Sequence, residues 1–108
     1  MPKYVLLFTY SSEAFRNITE RGESRVQAVR ELVESAGGRM ESYYLMFGQF
    51  DGLVIFDVPS SELASAISLA VSRTGAVTRL ETHELIDPDH LPSIASLVNA
   101  LTYRPPGS

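Results

Sequence analysis

Leu53-Val54-Ile55-Phe56-Asp57-Val58 is almost unbrokenly apolar and β-branched, and Pro59 closes it. A run of this kind, bounded by a glycine turn on one side and proline on the other, predicts a strand. An antiparallel strand with one wet face should alternate apolar and polar residues, and this one does not. Val5-Leu6-Leu7-Phe8, inside Tyr4-Val5-Leu6-Leu7-Phe8-Thr9-Tyr10, has the same character. Two strands that are apolar on both sides need cover on both sides of the sheet they build.

Working outward from Leu53, Gly48-Gln49-Phe50-Asp51-Gly52 is a turn with glycine at each end, and Arg39 to Phe47 reads as the preceding strand. Together these predict a β-hairpin. Asp51 is placed to fix that turn by hydrogen-bonding an amide. Before the hairpin, Val26, Val29, Val33 and Ala36 share one helical face with Leu32 beside them, and Gly37-Gly38 ends the helix. Ser12 and Glu13 mark a shorter helical turn carrying Phe15 and Ile18. After the hairpin, Ser60 or Ser61 caps a helix whose stripe is Leu63, Ala66, Ile67, Ala70 and Val71, and Gly75 stops it. Ala76 to Ile86 forms a fourth strand. Asp87-Pro88 then starts a last helix with the stripe Leu91, Ile94, Val98 and Leu101.

The order is strand, helix, strand, strand, helix, strand, the α+β ferredoxin-like arrangement with both helices on one face of an antiparallel sheet, plus a C-terminal helix. One domain spanning 1–103 is expected, with 104–108 as a flexible tail. The second sheet face falls to the C-terminal helix, to a second copy of the chain, or to both. A homodimer of the dimeric α+β barrel type is therefore predicted.

Charge and composition exclude several functions. With 9 basic against 13 acidic residues and a net charge of −4, the chain has no basic patch, so no nucleic-acid partner is expected. Without cysteine there is no disulfide, thiolate metal site or cysteine nucleophile. The apolar run Val5–Phe8 is too short for a membrane span, and the polar side of the last helix is not basic. A cytoplasmic protein with no membrane association is expected. No glycine-rich phosphate loop occurs, and His90 beside Asp87 and Asp89 lacks metal-ligand spacing, so neither cofactor nor metal is expected.

Three side chains in the fourth strand are candidates for catalysis. Arg79, Glu81 and His83 alternate and so point to one face, with Thr78, Leu80 and Thr82 on the other. His83 suits a general base near neutral pH, Arg79 an anionic oxygen, and Glu81 the orientation of either. The same three would also make an ion-paired strand face. Tyr10, Tyr43 and Tyr44 are candidate ligand contacts, since a phenol at the edge of an apolar pocket can orient a carbonyl, or can simply pack. Tyr43 and Tyr44 face opposite ways, so one of them reaches the second face. Asp57, inside an apolar strand, needs a basic partner.

Gly48-Gln49-Phe50-Asp51, the apolar strand after it and Val58-Pro59 resemble the signature of the GYD-domain family, with Phe50 where the family usually has tyrosine. Lys3-Tyr4-Val5, Arg25, Gly37-Gly38 and Tyr43-Tyr44 match other positions of that pattern. Tyr10 and Ser11-Ser12-Glu13 stand where the family often has tryptophan and Gln-Gly. The resemblance covers roughly Lys3 to Asp89. It implies the dimeric α+β barrel fold, a group holding cofactor-independent enzymes, ligand-sensing domains and proteins of unknown role. Three functions follow as candidates: a cofactor-independent enzyme acting on a small aromatic or carbonyl metabolite, a non-catalytic binding or regulatory module, and a structural oligomerisation domain.

Overall fold

A computed structural model describes residues 1–107. Strand β1 (Lys3–Tyr10) leads into helix α1 (Ser12–Arg21) and helix α2 (Val26–Ser35), followed by β2 (Arg39–Leu45), β3 (Gly52–Asp57), α3 (Ser61–Ser72), β4 (Val77–Leu85) and α4 (Leu91–Ala100). The sheet order is β2-β3-β1-β4 and every neighbouring pair is antiparallel. This is the ferredoxin-like α+β fold predicted from the strand and helix order. What was expected as one helical turn after β1 is a full helix, capped by Ser11 rather than Ser12. Ser60 caps α3, its hydroxyl accepting from the Leu63 amide.

The strands alternate in environment although not in composition. Tyr4, Leu6 and Phe8 of β1 and Val54 and Phe56 of β3 are buried under the helices, where they meet Val33 of α2 and Ala64 and Ile67 of α3. Val5, Leu7, Leu53 and Ile55 point the other way and are only half-buried. Ala66, expected on the packed stripe of α3, is exposed, and Ala64 takes its place. Gly38 joins α2 to β2 where the backbones nearly touch. A Cβ there would run into the Asp57 carbonyl oxygen, which cannot move without breaking the sheet.

Two irregularities decide which side chains share a face. The β1–β4 register shifts between Thr9 and Tyr10, so that Val77, not Thr78, joins Leu80 against the core. The β2–β3 register shifts between Met40 and Ser42. A bulge of this kind reverses the parity of every residue beyond it. Tyr43 therefore packs with the core and Tyr44 faces the open side, 63% exposed.

Helix α4 does not cover the open face of its own sheet. It packs chiefly on the 3₁₀ turn Pro88–His90 that introduces it. β4 is an edge strand, and that turn leads the chain away from the sheet. The consequence is an extended shape, 57 × 34 × 23 Å. The radius of gyration is 17.4 Å, against about 13 Å for a compact domain of this length. From Leu91 to Leu101 the helix and its cap carry no charge, yet Leu91, Leu97, Val98 and Leu101 lie in water. Among the described residues no helix is long and apolar enough to cross a membrane.

Candidate functional site

Helix α2 packs towards β2 and α3 towards β4, the two outer strands. The helices are thus spread, and a cleft of about 280 Å³ opens between them above β1 and β3. Leu6, Phe8, Val54 and Phe56 form its floor. Val29 and Leu32 line one wall and Ile67, Ala70 and Val71 the other. Ala28 and Ala70 are short where longer side chains would close the gap. The lining is apolar except for Tyr10, Arg25 and Thr74.

Tyr10 is held in place from three directions. Its amide donates to Asp51 Oδ2 at 2.9 Å, and the Asp51 amide donates to the Phe8 carbonyl at 2.8 Å. Asp51 thereby ties the hairpin turn to the end of β1, the structural role its sequence context suggested. The Tyr10 ring meets Phe8 edge-on at 5.2 Å, and Phe8 meets Tyr43 at 5.9 Å. The two phenolic oxygens, Tyr10 Oη and Tyr43 Oη, are hydrogen-bonded at 2.8 Å. Arg25 caps the start of α2 and pairs loosely with Glu23 at 3.3 Å on its solvent side.

Burial pushes the Tyr10 phenol well above its usual range, and the bond to Tyr43 adds to the effect. Burial also raises Tyr43. Arg25 pulls both phenols the other way but does not offset the burial. Both stay neutral near pH 7 and can donate a proton to an acceptor without ionising. The folded state holds these protons more tightly than the unfolded chain, whose tyrosines titrate near 10.0. Stability is therefore fully present below that pH and falls as pH rises above it. Tyr10→Phe is expected to lower stability at pH 7 by about 0.5–1.5 kcal/mol through the lost bond. It is also expected to flatten part of the alkaline decline, with Tyr4 and Tyr43 supplying the remainder. Urea midpoints measured from pH 8 to 11 check both; an unchanged alkaline slope would contradict the assignment to Tyr10.

The other candidates lie on the opposite side of the sheet. Arg79, Glu81 and His83 stand opposite Thr9, Leu7 and Val5 on the open face. His83 Nε2 lies 3.0 Å from Glu81 Oε1, and Arg79 Nε lies 3.7 Å from Glu81 Oε2. The Arg79 guanidinium rests over the Phe50 ring at 5.5 Å. With its amide turned so that oxygen faces the guanidinium, Gln49 accepts from Arg79 at 2.8 Å. All three strand residues are about half exposed in a single copy. At one end of this face Asp57 finds its basic partners, Lys3 at 3.3 Å and Arg39 at 3.7 Å.

The structure thus divides the expected site residues into two groups. Tyr10 lines the cleft and is bonded to Tyr43, which lines the adjoining recess. Arg79, Glu81 and His83 join on the open face, which Tyr44 shares. The cleft itself was not legible in the sequence, because its walls come from two helices whose spacing no local pattern encodes. Arg25 entered only as a position matching a family pattern. Among the described residues no three His, Asp or Glu side chains converge where a metal ion could sit.

Comparison with known proteins bears on the fold. The 30S ribosomal protein S6 of Thermotoga maritima superposes with a TM-score of 0.61 at 15% identity, over 88% of this chain and 97% of that one. The 5-chloro-2-hydroxyhydroquinone dehydrochlorinase of Burkholderia phenoliruptrix, solved with 2,5-dihydroxybenzoquinone, superposes at 0.56 with 7% identity, over 82% and 97%. FFRP-DM1 superposes at 0.54 with 16% identity, over 80% and 100%. At such identities the likeness is one of fold. No curated protein has a significantly matching sequence. The profile of the GYD domain matches residues 4–95, which takes in the sheet from the second residue of β1 onward, all the helices packed on it and both groups of candidate residues, and the chain belongs to the GYD-domain family.

Proposed function

We propose that this protein binds a small, largely apolar metabolite, planar and aromatic or carbonyl-bearing, in the cleft between α2 and α3. The observation that carries this reading is an apolar cleft of about 280 Å³ that reaches Tyr10, whose neutral phenol is hydrogen-bonded to that of Tyr43 in the adjoining recess. A dry cavity of roughly 150 Å³ holds a benzene ring, so this one has room for a ring with a side arm. A few polar groups at one end of an apolar pocket are the usual design of a small-molecule site. Tyr10 and Tyr43 would orient the polar end of the ligand.

A second reading concerns the open face. His83 and Glu81, 3.0 Å apart, form a base with an orienting carboxylate, and Arg79 is a cation beside them. In a homodimer joined through this face the three would leave bulk water, as a cofactor-independent enzyme acting on the same class of metabolite would require. In a single copy they remain about half exposed to water, whereas the cleft is enclosed by the helices and the sheet, and that favours binding.

Cinnamamide, a neutral planar probe, tests the binding reading. Saturable binding to the whole chain is expected by titration calorimetry, with Kd on the order of 10–100 μM for a ligand of this size. Ala70→Phe should fill the cleft and weaken binding at least about tenfold while the unfolding midpoint holds or rises. Undiminished binding by the filled variant would place the probe elsewhere and defeat the reading.

A further inference from the structure

Among the described residues that line the cleft, Arg25 alone carries a charge. It also lines a recess adjoining the cleft, together with Tyr10, Tyr43, Ser24 and Glu23, so that guanidinium and phenols border one opening. We infer that the cleft selects anions: a small aromatic or alkyl carboxylate, or an enolate, with its apolar body on Phe8 and Val29 and its charged oxygens held by Arg25 and the Tyr10–Tyr43 pair. This rests on the binding reading above and names the ligand class for it.

Two neutral phenols joined by one hydrogen bond use one of their two protons internally and have one left to donate. That free O–H is available to an oxygen acceptor on a ligand. Arg25 adds a positive charge whose fork matches a carboxylate in two parallel bonds. No carboxylate competes from within the cleft. Of the two acidic groups near its mouth, Asp51 already accepts the Tyr10 amide at 2.9 Å. The other, Glu23, meets Arg25 at 3.3 Å with both partners more than two-fifths exposed. An exposed pair of that sort contributes little and is readily exchanged for a ligand carboxylate held against an apolar wall. A neutral ligand would leave the guanidinium with only this loose partner.

Cinnamate and cinnamamide have nearly the same shape and differ in charge, so the pair isolates the proposed interaction. For the unaltered protein at pH 7 cinnamate is expected to bind about tenfold more tightly, the size of one charge-assisted contact. Arg25→Gln should remove that advantage and leave cinnamamide within about twofold of its original affinity; Arg25→Lys should restore part of it. Arg25 makes no side-chain cap bond to α2 and is 45% exposed, so both variants should fold, as their unfolding midpoints would report. Equal affinity for the two probes, or a cinnamate advantage that survives Arg25→Gln, would overturn the anion assignment while leaving the cleft as a binding site. If neither probe binds, the cleft reading falls and this inference with it.

Discussion

Phe56→Ala is expected to remove about 3–5 kcal/mol of folding stability, the largest loss from any single truncation in this chain. Phe56 sits on the central pair of strands, 1% exposed. Its ring stacks on Tyr4 at 5.8 Å. It lies opposite Tyr4 on β1 and Met40 on β2, so it contributes to the ladders β3 makes with both neighbours and to the helix-covered core. Two effects add. The ring's transfer from water is forfeited, and the void left behind cannot close, because β1 and β3 are held apart by backbone hydrogen bonds. Here the void would also merge with the cleft that Phe56 already floors. A domain of this size has only about 5–15 kcal/mol in hand, so the variant should be partly unfolded in mild urea. Urea titration followed by circular dichroism checks it; a midpoint shift worth under about 1 kcal/mol would show that Phe56 is not the keystone of the core.

The elements most legible in the sequence were those set by local chemistry. The apolar runs at Val5–Phe8 and Leu53–Val58 gave the two central strands. The glycines around Phe50 gave the turn, and Gly37-Gly38 the end of α2. Their order led directly to the ferredoxin-like sheet. Face assignments were less legible wherever a bulge intervened. Strict alternation would place Tyr44 on the same side as Met40, but the shift between Met40 and Ser42 sends it to the open face. Thr78 lost its predicted place to Val77 by the same mechanism on β4. Nothing in a single sequence announces a bulge, since the extra residue need be neither glycine nor proline. The path of α4 was illegible for a different reason. Its apolar stripe says that it packs on something, and periodicity cannot say on what. The spread of α2 and α3, which makes the cleft, depends on volumes summed over both helices and the sheet.

We propose that two copies pair through the open face of the sheet, and Ile55→Asp should convert that dimer to a folded monomer. In one copy, the open face presents Val5, Leu7, Leu53 and Ile55 in a continuous half-buried strip, with Ile55 opposite Val5 on one side and Ser42 on the other. The paired charges Arg79–Glu81–His83 lie on one flank and Lys3–Asp57–Arg39 at one end. An apolar strip bordered by charge is the pattern of an interface core with a polar rim. The uncharged α4, whose main contacts are with the turn before it rather than with the sheet, adds a second apolar surface on the same chain. A second copy would offer each of these surfaces something to cover. In a two-fold assembly each residue near the axis occurs twice, so one substitution places two carboxylates in the interface. Lys3 and Arg39, the nearest cations on that face, are already paired with Asp57, and an unpaired buried charge costs several kcal/mol. Dimer affinity should fall by at least about a thousandfold. The isolated subunit should tolerate the change, because Ile55 points away from the cluster of Tyr4, Leu6, Phe8, Val54 and Phe56 that holds the helices. Sedimentation velocity reads the outcome directly, with circular dichroism confirming the fold. A monomeric unaltered protein, or an Ile55→Asp variant that still sediments as a dimer, would show that the strip serves some other purpose, and the enclosed His83–Glu81 site would lose its basis.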